Sequence, residues 1–321
     1  MKLSIIIPIH NGERFIARCL DALLNQTVDV DEIILVNDHS SDRTEELCRS
    51  YASRYDSIKY IESQRYGVSA ARNIGLDFVK GDIIGFCDID DIEKESMAEV
   101  VKQEFENNSD LRVFVTGYER VNCEDTSDVL GIYRCTSTSD WSKEDYLKHA
   151  IYDENVMGTV WCKFFSSSLI YNLRFNESLS LCEDMDFTLR AMTLCSGKSL
   201  AASDEITYQY SFNPKSVTND ESKLFDENHN ELKYNEAFFL IAKNEKLSKD
   251  VKEYLYYKVF CFSIAILSYY VISDARRDTL KRHLREYFTV FFKLFMLEPK
   301  ENIKRCIKCL FRIRRGRPFC W

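Results

Sequence analysis

The feature that most constrains this chain is an alternation within its first 91 residues. Four short apolar runs, at residues 4–9, 32–36, 58–61 and 83–87, are separated by segments with a helical period. Between the first two runs, Phe15, Ile16, Cys19, Leu20, Leu23 and Leu24 fall on one face of a helix over 13–24. Segments 44–55 and 68–79 are helical in the same way. Apolar runs of strand length punctuated by helices specify an α/β fold, a parallel or mixed sheet covered by helices. Polar loops with carboxylates follow the runs, carrying Pro8, His10 and Asn11, then Asn37 and Asp38, then Asp88, Asp90 and Asp91. In open α/β sheets ligands bind beyond the carboxyl ends of the strands, which is where these residues fall.

Past Asp91 the pattern predicts a helix over 93–105, a strand over 112–116, and a polar stretch to 140 with no clear period. A helix over 142–152, a mostly apolar segment over 159–170, a helix over 183–194 and a strand over 206–212 follow. From 223 onward the pattern is almost purely helical, which places a boundary at 219. The net charge of −8 conceals an asymmetry: residues 220–321 hold 21 Lys+Arg against 14 Asp+Glu, and the part before them carries −15. Two regions with different partners are implied. The acidic part lacks the basic face that nucleic acid requires and suits a cation-dependent site.

With 45% hydrophobic residues and only 10 Gly and 4 Pro among 321, the composition excludes disordered and collagen-like classes. The 12 Cys are scattered, and only Cys306 and Cys309 form a C-x-x-C, one pair short of a structural zinc. They read as reduced thiols of a cytosolic protein, in keeping with a start that shows no signal-peptide cleavage pattern. The charge-free stretch 259–273 is shorter than the ~20 residues a membrane span needs and reads as a buried helix. In the last segment Lys304, Arg305, Lys308, Arg312, Arg314, Arg315 and Arg317 interleave with Ile303, Ile307, Leu310, Phe311, Ile313 and Phe319. That pattern suits either an anionic membrane surface or a solvated basic face.

Closely spaced carboxylates at a strand end, as in Asp88-Ile89-Asp90-Asp91, repel one another unless a cation sits between them, and a divalent ion with oxygen ligands answers that. Asp90 or Asp91 capping the next helix is the competing account. Asp38 is placed to accept from a base or ribose, whereas Asp42 reads as a helix cap. In GVSAARNIGL, small residues precede a helix bearing Arg72 and Asn73, groups suited to a diphosphate or ribose. Glu183 and Asp184 form an acidic first turn, which the helix dipole alone would favour.

Taken together, SIIIPIHNGERFIARCLDALLNQT, EIILVNDHSSDRT and GVSAARNIGLDFVKGDIIGFCDIDD resemble, in order and spacing, the nucleotide-binding half of family 2 glycosyltransferases. VWCKFF is similar to that family's Trp-x-Lys segment, LCEDMDF to its Glu-Asp motif, and YQYSFNPKSVTN to its closing strand and loop. The resemblance implies a GT-A-like, Rossmann-like catalytic domain over 1–219, with a nucleotide-sugar half (1–91) and an acceptor half (92–219). A helical region with a basic amphipathic end would occupy 220–321.

It further implies Pro8, His10, Asn11 and Glu13 at the nucleotide, with His10 where the family commonly has Tyr, and Asp38 at the base. Arg72 and Asn73 would approach the diphosphate or ribose. Asp88 would serve ribose and metal, and Asp90 the Mg²⁺ or Mn²⁺ itself. Asp184 would be the general base, with Glu183, Trp161 and Lys163 at the acceptor. The implied reaction is inverting transfer of one sugar from a nucleotide-sugar, a UDP-sugar foremost, to a saccharide or lipid-linked glycan in surface polysaccharide assembly. The location implied is cytoplasmic, on the inner face of the membrane. No Gln-x-x-Arg-Trp motif of processive members is present. Two other readings are an inactive scaffold on this fold and a sugar nucleotidyltransferase, whose Gly-rich N-terminal loop SIIIPIHNGE does not supply.

Overall fold

The computed structural model describes residues 1–135, 141–212, 232–269 and 272–297. The polar stretch at 136–140, the loop 213–231 and the basic segment 298–321 lie outside the described residues. The chain divides into two compact units, Met1–Ser178 with Glu183–Phe212, and Leu179–Cys182 with Asn213–Trp321.

The first unit is built on a mixed sheet of β1 (Leu3–Ile9), β2 (Glu32–Asn37), β3 (Ile58–Glu62), β4 (Ile83–Phe86), β5 (Ile92–Glu93), β6 (Val113–Asn122), β7 (Val129–Tyr133), β8 (Lys163–Ser166) and β9 (Leu200–Phe212). Their order is β3-β2-β1-β4-β8-β6-β9-β5, with β7 on β6. β1 pairs in parallel with both β2 and β4, so the chain winds outward to β3 and then returns to the other side of β1. That reversal opens a crevice at the carboxyl ends of β1 and β4. All seven residues of β1 are buried, as expected of a strand covered on both faces.

Helices α1 (Ile16–Leu24), α2 (Thr44–Arg54), α3 (Val68–Phe78) and α4 (Met97–Asn107) fill the crossovers, followed by α5 (Lys143–Tyr152), α6 (Ser167–Ile170) and α7 (Glu183–Thr193). α1 buries Ile16, Cys19, Leu20 and Leu23, the stripe that the periodicity selects. It starts three residues later than that pattern predicts because the amides of Phe15 and Ile16 both donate to the Gly12 carbonyl, closing a turn first. α5 begins at a capping box between Ser142 and Asp145.

Three expectations shift. The helix expected from 93 starts at Met97, because Ile92 and Glu93 form a two-residue ladder with Gln209 and Tyr208. The strand expected to end at 116 continues to Asn122 along β9, through register shifts beside Gly117. The polar stretch holds β7, whose side chains are largely exposed and so leave no apolar period.

In the second unit α8 (Lys233–Ala242), α9 (Lys249–Tyr269) and α10 (Asp274–Leu297) pack through aromatic faces, with Tyr234 on Phe262 at 4.8 Å and Phe260 on Phe291 at 4.2 Å. Val259, Ser263 and Ile266 are buried, so the described part of the charge-free stretch is a core helix. Among the described residues no helix is long and apolar enough to cross a membrane.

Candidate active site

The loops after β1 and β2 are laced together. Gly12 N donates to Thr44 Oγ1 (2.8 Å), Glu13 N to Asp42 Oδ2 (3.1 Å), and Arg43 N to Glu13 Oε2 (3.0 Å). Glu13 and Asp42 therefore serve the amino end of α2, where free amides and the helix dipole favour carboxylates. Asn11, left-handed at φ 53°, takes the Ser41 amide on Oδ1 (2.8 Å) and donates its own amide to Ser40 Oγ (2.9 Å). His10 is exposed and donates from Nδ1 to the Asp38 carbonyl (2.6 Å), which leaves Nε2 to accept from Asn11 Nδ2 (3.1 Å).

Asp38 Oδ2 accepts from Gly67 N (2.9 Å) and Oδ1 lies 3.1 Å from His39 Nδ1. Gly67 supplies that amide from φ +99°, a conformation an L side chain resists. The His39 ring stacks at 3.7 Å on Tyr66, itself 80% exposed. A fixed carboxylate beside exposed ring faces suits a planar base. Pro8, by contrast, is buried within β1.

The next part of the site is a buried cation. α3 approaches β1 so closely that a Cβ on Gly75 would stand 2.4 Å from Ile6, and the small Ala70 and Ala71 are fully buried. This sinks Arg72, 2% exposed, beneath the surface. Its Nη2 donates to Asp88 Oδ1 (3.0 Å) and its Nη1 to Glu183 Oε1 (2.9 Å), with Asp184 Oδ1 at 3.7 Å. Residues far apart in the chain thus meet on one guanidinium. Burial, reinforced by Glu183, pushes Asp184 up to about 7 despite Arg72. Burial likewise raises Asp88, with Arg72 pulling the other way.

Around Asp90 the arrangement differs. Arg18 Nη2 donates to the Asp90 backbone carbonyl (2.5 Å) and to Ser211 Oγ (3.2 Å), and among the described residues no ion pair is made by the Asp90 carboxylate. Burial and then Asp88 push Asp90 up to about 6. Asp91, 1% exposed, accepts from Tyr208 Oη (2.7 Å) and Ser211 N (2.7 Å), while Tyr208 Oη also accepts from Asp88 N (3.3 Å). Neither aspartate caps α4, because residues 92–93 intervene as strand. Asp91 ties the acidic loop to β9, and Arg18 and Tyr208 are residues that the sequence reading did not place in the site. The signal available was alternation across 206–212, which marks a strand but not its partner.

Other expected site residues lie deeper. Asn73 exchanges hydrogen bonds with the backbone of Phe175 (2.7 and 3.0 Å) and donates to Glu177 Oε1 (2.9 Å), so it is tied to chain 175–177 instead of facing the crevice. Arg72 is likewise committed to carboxylates and not open to a diphosphate. Trp161, 5% exposed, stacks on Tyr208 (5.1 Å) and Tyr210 (5.4 Å), supporting the strand behind Asp91. Lys163, 1% exposed, donates to the Val156 carbonyl at 2.7 Å, and burial lowers its ammonium to about 8. A tryptophan or lysine in an apolar run is equally what a core would contain, which is why sequence alone does not separate the two uses.

The donor set suits a hard divalent cation in part. Asp88 and Asp90 offer oxygen ligands whose charges repel, and among the described residues the Asp90 carboxylate makes no ion pair and no cluster of three or more ligating side chains exists. Two carboxylates are what Mg²⁺ uses when phosphate oxygens and water complete its shell.

Comparisons with known proteins identify the family. The chain is 34% identical over 221 residues to the uncharacterized glycosyltransferase EpsJ of Bacillus subtilis, covering 67% of this chain and 62% of that relative's length. It is 33% identical over 196 residues to the minor teichoic acid biosynthesis protein GgaB of B. subtilis, covering 54% of this chain and 21% of that protein. The fold is similar to that of S. aureus TarS 1–349 in complex with UDP-GlcNAc, with a TM-score of 0.70 at 18% identity over 100% of this chain and 93% of that one. Residues 4–173 match the model of glycosyl transferase family 2, and the chain belongs to that family.

Proposed function

We propose that this glycosyltransferase moves one sugar, with inversion, from a nucleotide-sugar to a saccharide or lipid-linked glycan acceptor in cell-surface polysaccharide assembly. The observation that carries the reading is the Arg72 cluster, which brings Asp184 beside Asp88, so a base and the donor loop share one buried guanidinium. Inversion needs the acceptor oxygen to attack opposite the departing nucleoside diphosphate. Asp184, raised to about 7, is suited to take the proton from that hydroxyl near neutral pH, with Glu183 beside it orienting the acceptor. Arg72 keeps both carboxylates in place, and Asp38 with the rings of His10 and His39 receives the base. Mg²⁺ or Mn²⁺ held by Asp88 and Asp90 would neutralise charge on the leaving diphosphate. UDP-GlcNAc, the ligand in the TarS complex, makes UDP-sugars the first donors to test. Relatives such as GgaB support a glycan acceptor, and a lipid-linked one would hold the enzyme at the cytoplasmic face of a membrane.

The test is nucleoside diphosphate release from UDP-, GDP- and dTDP-sugars with Mn²⁺, Mg²⁺ or chelator. Metal-dependent release from one donor, reduced about 10²- to 10³-fold in Asp90→Asn, is expected. With a competent acceptor, Asp184→Asn lowers kcat about 10²- to 10⁴-fold. No release, together with no donor-induced thermal stabilisation in any metal, overturns the reading in favour of an inactive scaffold.

A further inference from the structure

We propose that Arg18 is a positioning residue for the cation site, holding the acidic loop from α1 by the backbone of Asp90 and leaving the Asp90 carboxylate to the ion. The inference rests on the proposed Mg²⁺ or Mn²⁺ reading and adds a residue outside the ligand set. The other residues of the loop have holds of their own. Asp88 is fixed through its carboxylate on Arg72 and its amide on Tyr208 Oη (3.3 Å). The buried Ile89 packs against the loop after β1, where a Cβ on Gly12 would stand 3.0 Å from it. Asp91 gives its amide to the Asp88 carbonyl (3.1 Å) and takes Tyr208 Oη and Ser211 N on its carboxylate. At Asp90 the hold comes from Arg18, whose Nη2 donates to the backbone carbonyl at 2.5 Å.

Arg18 is itself well placed to act as a bracket. Its Nη2 also reaches Ser211 Oγ (3.2 Å), its Nη1 lies 3.5 Å from the Cys123 carbonyl, and its guanidinium carbon is 5.5 Å from the centre of the Phe15 ring. One side chain thus joins α1, the chain just after β6, the end of β9 and the acidic loop. The choice of acceptor is what points to the cation site. An arginine beside an aspartate ordinarily pairs with the carboxylate, through two parallel hydrogen bonds. Here it takes the carbonyl instead, and among the described residues neither the Arg18 guanidinium nor the Asp90 carboxylate makes an ion pair. The Arg18 Nε, buried without a hydrogen-bond partner among the described residues, is a cost of that geometry. A carboxylate paired with arginine has its charge already answered, whereas one held through its own backbone keeps that charge for a metal. Groups that orient a ligand without binding the ion help to set metal affinity.

The test is Mn²⁺ binding to the full chain with UDP, read from the electron paramagnetic resonance of free Mn²⁺ against a control of UDP alone. Nucleotide release is measured alongside as a function of Mn²⁺. Arg18→Met is expected to weaken Mn²⁺ binding about 10- to 100-fold, to raise the half-saturating Mn²⁺ for release by the same factor, and to recover wild-type kcat at saturating Mn²⁺. Arg18→Lys, whose ammonium can still donate to the carbonyl, is expected to fall between Arg18→Met and wild type. A merely structural role would lower the melting temperature and leave the half-saturating concentration where it is. The sign decides as well, because a charge acting only by repulsion would make Arg18→Met bind Mn²⁺ more tightly. Unchanged or tighter binding by Arg18→Met, or by Arg18→Lys should the first not fold, overturns the proposal and leaves the metal reading standing. Wild type that binds no Mn²⁺ with UDP overturns the metal reading itself and the proposal with it.

Discussion

Two groups of buried and half-buried carboxylates sit side by side in the first unit and are treated in opposite ways. Asp88, Glu183 and Asp184 surround Arg72, so their charge is answered within the protein. Among the described residues the carboxylates of Asp90, Asp91 and Glu93 make no ion pair, and Arg18 acts on Asp90 only weakly beside burial and Asp88. Asp91 is held by neutral donors, and Glu93, 2% exposed, has a hydrogen-bond partner for neither carboxyl oxygen among the described residues. The contrast separates a preset part of the site, which keeps its geometry without ligand, from a part whose charge balance is completed from outside or by protons. Burying an uncompensated carboxylate is costly, and the group takes up a proton unless a cation arrives. The first group is therefore suited to orient a base, and the second to respond to a cation at Asp90.

Removing the cation breaks the contrast most severely. Arg72→Met leaves three half-buried carboxylates facing one another around a buried gap, and a loss of about 2–4 kcal/mol, below the range for fully buried pairs, is expected at neutral pH. The sign with pH follows from the raised carboxylates. Without Arg72 they bind protons more tightly still in the folded state, so the loss shrinks as pH falls below about 7, where Asp184 is already titrating. Urea melts of both proteins at pH 8 and pH 5 check this. A loss that is the same at both values would mean that Arg72 acts by packing on Phe175 and not by charge. With Asp184 as the proposed base, the same shift is expected to give wild type a pH profile whose acidic limb falls near 7, because the carboxyl has to be ionised to accept a proton.

A smaller effect is expected at the tie between the acidic loop and β9. Tyr208→Phe removes the donor to Asp91 and the acceptor for the Asp88 amide, leaving polar groups without partners in a buried place. A cost of about 1–3 kcal/mol follows, together with weaker donor binding, because the loop that carries Asp88 and Asp90 is less fixed. Thermal melts with and without donor separate the two. Unchanged donor affinity in a destabilised protein would show that the tie supports the fold only.

How much of this was legible in the sequence varies along the chain for physical reasons. Over residues 1–91 each element is made by local pattern, an apolar run or a helical stripe, so β1 to β4 and α1 to α3 are readable from one segment at a time. β9 is not, because its pairing with β6 and β5 joins segments about 90 and 115 residues apart and no local pattern encodes a partner. The short strand Ile92–Glu93 exists only because β9 is there, and this moved the start of α4. The site divides similarly. Asp88, Asp90 and Asp184 stand out as carboxylates at element ends, but that Asn73 is committed to chain 175–177, or that Trp161 lies under Tyr208, depends on what packs against them.

Glu93 provides the finest test of the comparison, because it is the purest case of the second group. It lies opposite Tyr208 in the β5–β9 ladder, and burial alone pushes its carboxyl well above the ordinary 4.5. The folded state therefore holds a proton that the unfolded chain releases, and the contribution of Glu93 to stability declines as pH rises above 4.5. Glu93→Gln cannot release that proton. The variant is expected to match wild type near pH 4 and to exceed it increasingly toward pH 8, by an amount on the scale of an ordinary substitution, about 1 kcal/mol. Because Glu93 touches no expected ligand, donor release is expected to be unchanged. Parallel stability curves for the two proteins from pH 4 to pH 8 would mean that a cation or water compensates Glu93, and the division between preset and responsive carboxylates would then end at Asp91.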